Sequence, residues 1–196
     1  MHDPTNRNNS RPRCGAGATR RVTILHGKEC NQNRVSTRKI ILLEDSFKLV
    51  DDLKRQGKRV VFTNGCFDLI HPGHTRLLQA ARKLGDVLVV AINSDASVRG
   101  LNKGPDRPIL PGAERAEIIA ALEGVDYVTI FDTVSVLPVV ERMLPNVLVK
   151  GATYGPTEIV GREVVEASGG EVVSIPVVEG FSTTSIVQAA MRIFPA

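Results

Sequence analysis

Apolar residues along the chain follow two periodicities, and these predict strands and helices in alternation. Five short runs are typical of β-strands, and several of them are apolar on both faces, as strands in a parallel sheet covered on both sides require. Between these runs, apolar residues recur at spacings of three and four, as on one face of an amphipathic helix. The predicted strands cover residues 59–63, 86–93, 127–131, 146–150 and 171–175.

The predicted helices fill the intervals and flanks of these strands. Parallel strands need right-handed crossover helices, so the alternation predicts an α/β fold with a Rossmann-like, doubly wound, five-stranded parallel sheet. Ligands of such sheets bind beyond the carboxyl ends of the strands, so the residues after each strand are the candidates for function. The first predicted helix starts at Glu44-Asp45-Ser46 and extends to Gly57. The others cover residues 73–84, 113–122, 134–143, 163–167 and 182–193, and Pro138 confines the helix of residues 134–143.

Residues 1–38 differ in composition from the rest of the chain. They hold no aromatic residue and one short apolar run, which predicts a disordered basic leader before a single domain over residues 39–196. Residues 1–39 carry nine Lys and Arg against two Asp and Glu, whereas residues 40–196 carry sixteen against nineteen. The folded part therefore offers no broad basic face for nucleic acid. An RNA-contacting arm is the alternative to a plain leader.

The composition excludes several classes of protein. With 196 residues, 42% hydrophobic and 23% charged, the chain is typical of a globular protein. It has no run near the ~18 apolar residues of a membrane span, and its first residues lack the pattern of a secretion signal. Three scattered cysteines predict neither a disulfide framework nor a zinc site. We expect a cytoplasmic homodimer with small-molecule substrates and no membrane or nucleic-acid partner.

The most informative segment follows the first predicted strand, over residues 62–74. Gly65 permits a tight turn, and His71 and His74 flank a Pro-Gly pair at a helix start. A spacing of three puts both imidazoles on one side of that turn, where free backbone N–H groups favour an anion. This arrangement indicates polyphosphate binding, with the imidazoles as hydrogen-bond donors. Surface histidines, one satisfied buried histidine, or a zinc site are the alternatives.

Further anion-binding groups follow the other strands. A hydroxyl-rich helix start spans residues 179–186, with Ser182 or Thr183 as N-cap, and ordinary capping is its alternative reading. In the loop of residues 102–108, Lys103 and Arg107 can reach over the sheet edge to a phosphate, or the loop is simply solvated. Residues 150–154 follow the fourth strand, where a substrate fits, and Glu114-Arg115 suits a surface pair.

These motifs together resemble the cytidylyltransferase-type nucleotidyltransferases, whose signature is a His-x-Gly-His turn and a late Ser-Thr-Thr helix start. Within that superfamily they are most similar to the D-glycero-β-D-manno-heptose 1-phosphate adenylyltransferases. The similarity spans about residues 38–193 and is specific as a set. The shared stretches are Phe62-Thr63-Asn64-Gly65-x-Phe67-Asp68, His71-x-Gly73-His74, Ala81-Arg82-Lys83-Leu84-Gly85-Asp86, Asn93-Ser94-Asp95-Ala96-Ser97-Val98, Arg107-Pro108, Glu114-Arg115, Ala121-Leu122-Glu123-x-Val125-Asp126, Leu148-Val149-Lys150-Gly151 and Ser182-Thr183-Thr184.

The resemblance implies a nucleotidyltransferase that joins the AMP moiety of ATP to a sugar 1-phosphate, heptose 1-phosphate, with Mg²⁺ neutralising the triphosphate. It implies that three residues are catalytic: His71, His74 and Lys103. It implies that the nucleotide is bound by Cys66, Phe67, His71, His74, Gly180, Phe181, Ser182, Thr183 and Thr184. It implies that the sugar phosphate is bound by Asp68, Arg115, Lys150, Thr153 and Tyr154.

Two departures from the family pattern keep alternatives open. Heptose enzymes usually read Lys-Gly-Gly-Asp-Tyr where this chain has Ala152 and Thr153 in the middle positions, so the sugar stays open. Glycerol phosphate cytidylyltransferases carry Arg-Thr where this chain has Val177 and Val178, which weakens the case for CTP. A cytidylyltransferase for glycerol 3-phosphate or a similar alcohol phosphate is the alternative enzyme. A non-catalytic nucleotide-binding regulator is the alternative from another class.

Overall fold

A computed structural model describes residues 38–102, 104, 106–151, 159–176 and 180–193. The predicted leader lies outside the described residues except for Arg38, and so do Lys103, Thr153 and Tyr154. The helices are α1 Leu43–Arg55, α2 Pro72–Arg82, α3 Asp95–Gly100, α4 Gly112–Ala120, α5 Leu137–Met143, α6 Arg162–Ala167 and α7 Thr183–Ile193. The strands are β1 Val60–Gly65, β2 Val87–Asn93, β3 Tyr127–Phe131, β4 Val147–Gly151 and β5 Glu171–Ile175.

The five strands form one parallel sheet in the order β3-β2-β1-β4-β5. β1 lies at its centre and pairs with β2 from Val60↔Val87 to Gly65↔Ile92, and with β4 from Val61↔Val147 to Thr63↔Val149. The chain builds outward from β1 through β2 to β3 and then returns to the other side of β1. The strand order therefore reverses between β1 and β4, and their carboxyl ends form the crevice in which such sheets bind ligands. The predicted doubly wound α/β fold is confirmed.

Apolar layers cover both faces of the sheet. Phe62 packs with α1, α5 and α6 on one face, whereas the adjacent Val61 packs with α2 and α4 on the other. Successive side chains of a strand point to opposite faces, so a sheet with two covered faces needs strands without polar alternation. No helix in the described ranges is long and apolar enough to cross a membrane.

Most element bounds differ from the sequence prediction by one or two residues, and three further differences have a physical reason. α5 begins at Leu137 rather than at Val134, because Pro138 fits the first turn of a helix, where its missing N–H is not needed. The short α3 was not predicted; the hydroxyl of Ser94 caps it by accepting a hydrogen bond from the Ser97 N–H at 3.2 Å. β1 continues two residues further than predicted, to Gly65, which brings Asn64 to the carboxyl edge of the sheet.

Candidate active site

A cavity of about 700 Å³ lies beyond the carboxyl ends of the strands. The ends of β1, β2, β4 and β5 line it, together with the start of α2 and the start of α7. The two anion-binding segments, which are more than one hundred residues apart in the chain, therefore meet in one cavity. The described lining includes most of the predicted site residues, namely Cys66, Phe67, Asp68, His71, His74, Lys150, Phe181, Ser182, Thr183 and Thr184.

The two histidines of the β1–α2 turn stack on each other in the cavity wall. His71 stands directly before α2, and the ring centroids of His71 and His74 are 3.7 Å apart with a 25° interplanar angle. The Phe67 ring lies against His74 at 5.2 Å. Burial lowers the pKa of His71, which favours the neutral imidazole near neutral pH. The Nδ1 atom of His71 is buried and has no hydrogen-bond partner among the described residues, as expected of a group that meets a ligand or water.

The backbone between β1 and α2 adopts a conformation that bulky residues rarely take. Phe67 has a φ of 47°, in the left-handed region. Such a residue persists only where its surroundings fix it. Arg115 Nη1 donates to the carbonyl oxygen of Cys66 at 2.6 Å on one side of Phe67. On the other side, the Asp68 carboxylate accepts from the N–H groups of Ile109 and Leu110 at 2.9 and 3.0 Å. The segment of residues 107–115 therefore holds the turn in place.

The structure corrects the expectation that Arg115 contacts the substrate. Its side chain is 0% exposed and does not line the cavity. Besides its bond to Cys66, it donates to the carbonyl oxygen of Leu110 at 2.9 Å and pairs with Asp95 Oδ1 at 2.7 Å. These partners engage all three nitrogens of the guanidinium group. Arg115 therefore supports the turn from behind rather than facing the cavity.

Asp68 also has a supporting role in this geometry. It lines the cavity, but its two oxygens accept from Ile109, Leu110 and Arg107 Nη1, the last at 2.8 Å. Burial by itself would raise the pKa of Asp68, yet the hydrogen bonds from Leu110, Arg107 and Ile109 outweigh it, so the pKa lies below its ordinary value. A carboxylate with these partners anchors the loop of residues 107–110, while its expected contact with the substrate stays a prediction.

The hydroxyl groups at the start of α7 fall into two sets, one that caps the helix and one that makes no hydrogen bond within the described part of the chain. Ser182 and Ser185 cap each other: the Ser185 N–H donates to the Ser182 hydroxyl, and the Ser182 N–H to the Ser185 hydroxyl, both at 3.0 Å. The hydroxyl groups of Thr183 and Thr184 make no hydrogen bond within the described part of the chain, and both residues line the cavity. Ordinary capping therefore accounts for Ser182, while the two threonines are placed to meet an anion.

The crevice between β1 and β4 carries polar groups that the sequence reasoning partly missed. Lys150 Nζ donates to the carbonyl oxygen of Asn64 at 3.2 Å and joins the two strand ends. The side chains of Asn64 and Asn93 were not predicted, although both line the cavity. Their position at the carboxyl ends of β1 and β2 was the signal that could have found them. Asn93 is fixed by a bond from its Nδ2 to Ser97 Oγ at 2.8 Å.

The predicted Mg²⁺ finds few protein ligands in this cavity. Among the described lining residues Asp68 is the one carboxylate, and its oxygens are already engaged. No three His, Cys, Asp or Glu side chains of the described residues are grouped as a metal site. The lining does not fit a protein-held Mg²⁺, and such an ion would be held by the triphosphate and water.

Comparison with known proteins connects this geometry to a family. Residues 62–189 match the sequence model of the family described as cytidylyltransferase-like. The chain is 46% identical over 171 residues to the bifunctional protein HldE of Syntrophotalea carbinolica, covering 87% of this chain and 35% of that protein. It is 53% identical over 153 residues to the bifunctional protein HldE of Geotalea uraniireducens, covering 78% and 31%. The chain thus spans about a third of the length of these curated relatives.

Solved structures share the fold. A lipopolysaccharide core biosynthesis protein from Thermoplasma volcanium superposes with a TM-score of 0.52 at 26% identity, covering 62% of this chain and 98% of that one. A pantoate-beta-alanine ligase from Francisella tularensis superposes with a TM-score of 0.53 at 15% identity, covering 80% of this chain and 78% of the other. The latter likeness concerns the fold alone.

Proposed function

The chain belongs to the cytidylyltransferase-like family and is a nucleotidyltransferase, and we propose that it transfers the AMP moiety of ATP to heptose 1-phosphate. The products are an ADP-sugar and pyrophosphate. One observation carries this proposal: His71 and His74 from the start of α2 and the hydroxyl-rich start of α7 line the same cavity at the switch point of the sheet. Such a cavity suits a polyphosphate that spans both helix starts.

The proposed reaction is a displacement at phosphorus. An oxygen of the sugar 1-phosphate attacks the α-phosphorus of ATP, the bond from that phosphorus to the bridging oxygen breaks, and its electron pair leaves with pyrophosphate. The attacking oxygen is already anionic near neutral pH, so the reaction needs no general base. This agrees with a cavity whose described lining is rich in hydrogen-bond donors and includes a single carboxylate, Asp68, which already accepts several hydrogen bonds.

Charge stabilisation is therefore the main task of the residues in this cavity. His71 and His74 donate to phosphate oxygens on which negative charge accumulates as pyrophosphate leaves. Thr183, Thr184 and the free N–H groups of α7 hold the far end of the triphosphate. The backbone of Cys66 and Phe67 positions the nucleotide, which accounts for the elaborate support behind that turn.

Other expected residues complete the proposal. Lys150 supplies a positive charge at the crevice between β1 and β4. Lys103, Thr153 and Tyr154 lie outside the described residues, and their roles toward phosphate and sugar stay predictions. Gly180, with a φ of 82°, starts the turn that leads into α7.

The choice of ATP and heptose rests on sequence resemblance. It is supported by the high identity to HldE proteins over most of this chain, and the lipopolysaccharide context of the Thermoplasma volcanium protein is consistent with a sugar phosphate. The valines at positions 177 and 178, which replace the Arg-Thr of cytidylyltransferases, support ATP rather than CTP.

A panel of substrates tests this proposal. Pyrophosphate release is measured for ATP and CTP, each with heptose 1-phosphate, glycerol 3-phosphate and ethanolamine phosphate. We expect turnover with ATP and heptose 1-phosphate and little with the other pairs. A clear preference for CTP, or for an alcohol phosphate, would reverse the assignment. Nucleotide binding without turnover for any pair would support the regulator instead.

A further inference from the structure

We propose that Arg107 binds the phosphate group of the acceptor, an inference that rests on the proposed function. Arg107 lines the cavity, and its side chain is only 16% exposed. Its guanidinium group makes one hydrogen bond, from Nη1 to Asp68 Oδ2 at 2.8 Å, and no other within the described part of the chain. A largely buried cation with unused donors thus faces a cavity that must hold two phosphate-bearing substrates.

The ion pair with Asp68 orients the Arg107 side chain but uses only one of its hydrogen-bond donors. Asp68 also accepts two backbone N–H groups, from Ile109 and Leu110, so its oxygens are shared among several donors. The guanidinium group has five N–H donors, so those that Asp68 does not use are available to a ligand in the cavity. The planar group matches two oxygens of a phosphate at once. A phosphate monoester is therefore the ligand that completes the environment of Arg107.

The strand order indicates which phosphate Arg107 meets. Arg107 also borders a surface depression together with Asp95 of α3, the helix that follows β2, and the cavity lining on that side includes Val98 and Leu101. These strands lie on one side of β1, whereas β4, β5 and the start of α7 lie on the other. The triphosphate is assigned to the histidines and to α7. The phosphate that remains for the side of β2 and β3 is that of the acceptor, and the predicted acceptor residues at the end of β4, Lys150 among them, are then left for its sugar.

The solvated-loop alternative does not describe Arg107. A solvated arginine keeps its head group in water, but this one is mostly buried and fixed to a buried carboxylate. The nearby Arg99 is the contrast within this chain, because it is exposed and has no ion pair or side-chain hydrogen bond among the described residues. Arg99 is therefore a matched control for a change of charge.

Steady-state kinetics with both substrates test the assignment. The variants are Arg107→Ala, Arg107→Lys and the control Arg99→Ala, and pyrophosphate release is measured against varied ATP and varied heptose 1-phosphate. We expect Arg107→Ala to raise the KM for the sugar phosphate about 10- to 100-fold, as for a lost charge-assisted hydrogen bond, with the KM for ATP changed less than about twofold. Arg107→Lys keeps a charge without the planar fork, so an intermediate KM is expected. Arg99→Ala should match the wild type.

A purely structural role would give a different result. In Arg107→Ala the Asp68 carboxylate keeps the N–H donors of Ile109 and Leu110, so the turn should hold and the KM for ATP should change little. If Arg107 served only to hold the turn, both KM values would rise together. Equal rises in the KM for ATP and the KM for the acceptor, or an unchanged KM for the acceptor, would overturn the assignment of Arg107. The proposed function would still hold in either case, because it depends on turnover by the wild type. Should Arg107→Ala fail to fold, Arg107→Lys gives the same comparison.

A wild type that uses no heptose 1-phosphate refutes the proposed function separately. In that case, the acceptor that the substrate panel identifies is used in place of heptose 1-phosphate in the same kinetic comparison of wild type and variants. If no pair turns over, the wild type and Arg107→Lys are titrated calorimetrically with inorganic phosphate in the presence of ATP. Binding by the wild type that weakens in the variant is expected, and equal binding or none in the wild type overturns the role of Arg107.

Discussion

Replacement of Arg115 by Met is expected to destabilise the fold by about 3–5 kcal/mol, chiefly because two backbone carbonyl groups lose a charged donor at about 1–3 kcal/mol each. Methionine retains an unbranched apolar stem but lacks the guanidinium group. The change removes the donors to Cys66 and Leu110 and the partner of Asp95. The contacts with Cys66 and Asp95 join segments that are 49 and 20 positions apart in the chain, and the contact with Cys66 ends next to Phe67, whose φ is positive.

The contacts of Arg115 account for a loss of this size. Two backbone carbonyl groups lose a charged donor, and a buried acceptor left unsatisfied costs about 1–3 kcal/mol. Asp95 adds less, because its side chain is 37% exposed and keeps part of its hydration. For a chain of 196 residues, each kcal/mol corresponds to about 2–4 °C in Tm, so we expect Tm to fall by roughly 6–20 °C.

Urea unfolding followed by far-UV circular dichroism measures the effect. The wild type is compared with Arg115→Met and with Arg99→Met, in which the same substitution is made at an exposed arginine. We expect Arg99→Met to stay within about 0.5 kcal/mol of the wild type. A loss below about 1 kcal/mol in Arg115→Met, the value of an exposed ion pair, would refute the role of Arg115 in holding the turn.

Three further predictions concern the histidine turn. His74→Ala should lower kcat about 10²- to 10³-fold, as for the loss of one preorganised donor, with little change in Tm; an unchanged kcat would remove His74 from the mechanism. Burial holds the pKa of His71 below its ordinary value, and a bound triphosphate favours the charged ring. The KM for ATP should therefore fall as the pH is lowered from neutrality toward that pKa. An equally steep dependence of this KM on pH in His71→Asn would contradict the prediction. Gly73→Ala would place a methyl group 3.0 Å from the His71 ring, so ATP titrations should show weaker binding than in the wild type, and unaltered affinity would mean that the stacking of the two rings is dispensable.

Much of the fold could be predicted because it depends on local patterns. The bounds of β3 and β5 agree with the prediction, since each is a short run rich in β-branched and aromatic residues between clear turn signals. The meeting of the histidine turn with the start of α7 followed from one general rule, that parallel strands align their carboxyl ends at the same edge. No contact between the two segments had to be known in advance.

The rest depends on burial and long-range contacts, which local patterns do not encode. Glu114-Arg115 has the pattern of an exposed pair at a helix start, yet Arg115 is fully buried because its partners come from Cys66 and Asp95, far away in the chain. Asp68 similarly takes its partners from residues about forty positions away. The short α3 was missed because a single capping serine after a strand also fits a loop.

The loose attachment of α7 has a consequence for how the enzyme responds to its substrate. None of the residues of α7 is buried, although the helix starts with the threonines that face the cavity. Little apolar area thus holds this helix to the body of the protein, and such segments open at a lower free energy than the core.

A triphosphate that contacts both α7 and the firmly packed α2 would link the two helices. Part of the binding free energy of the triphosphate would then be used to order α7, which lowers the apparent affinity for the nucleotide. Binding of the nucleotide and ordering of α7 would then occur together. Amide hydrogens of α7 should therefore exchange with deuterium faster than those of α2 without nucleotide, and slow down selectively when ATP is added.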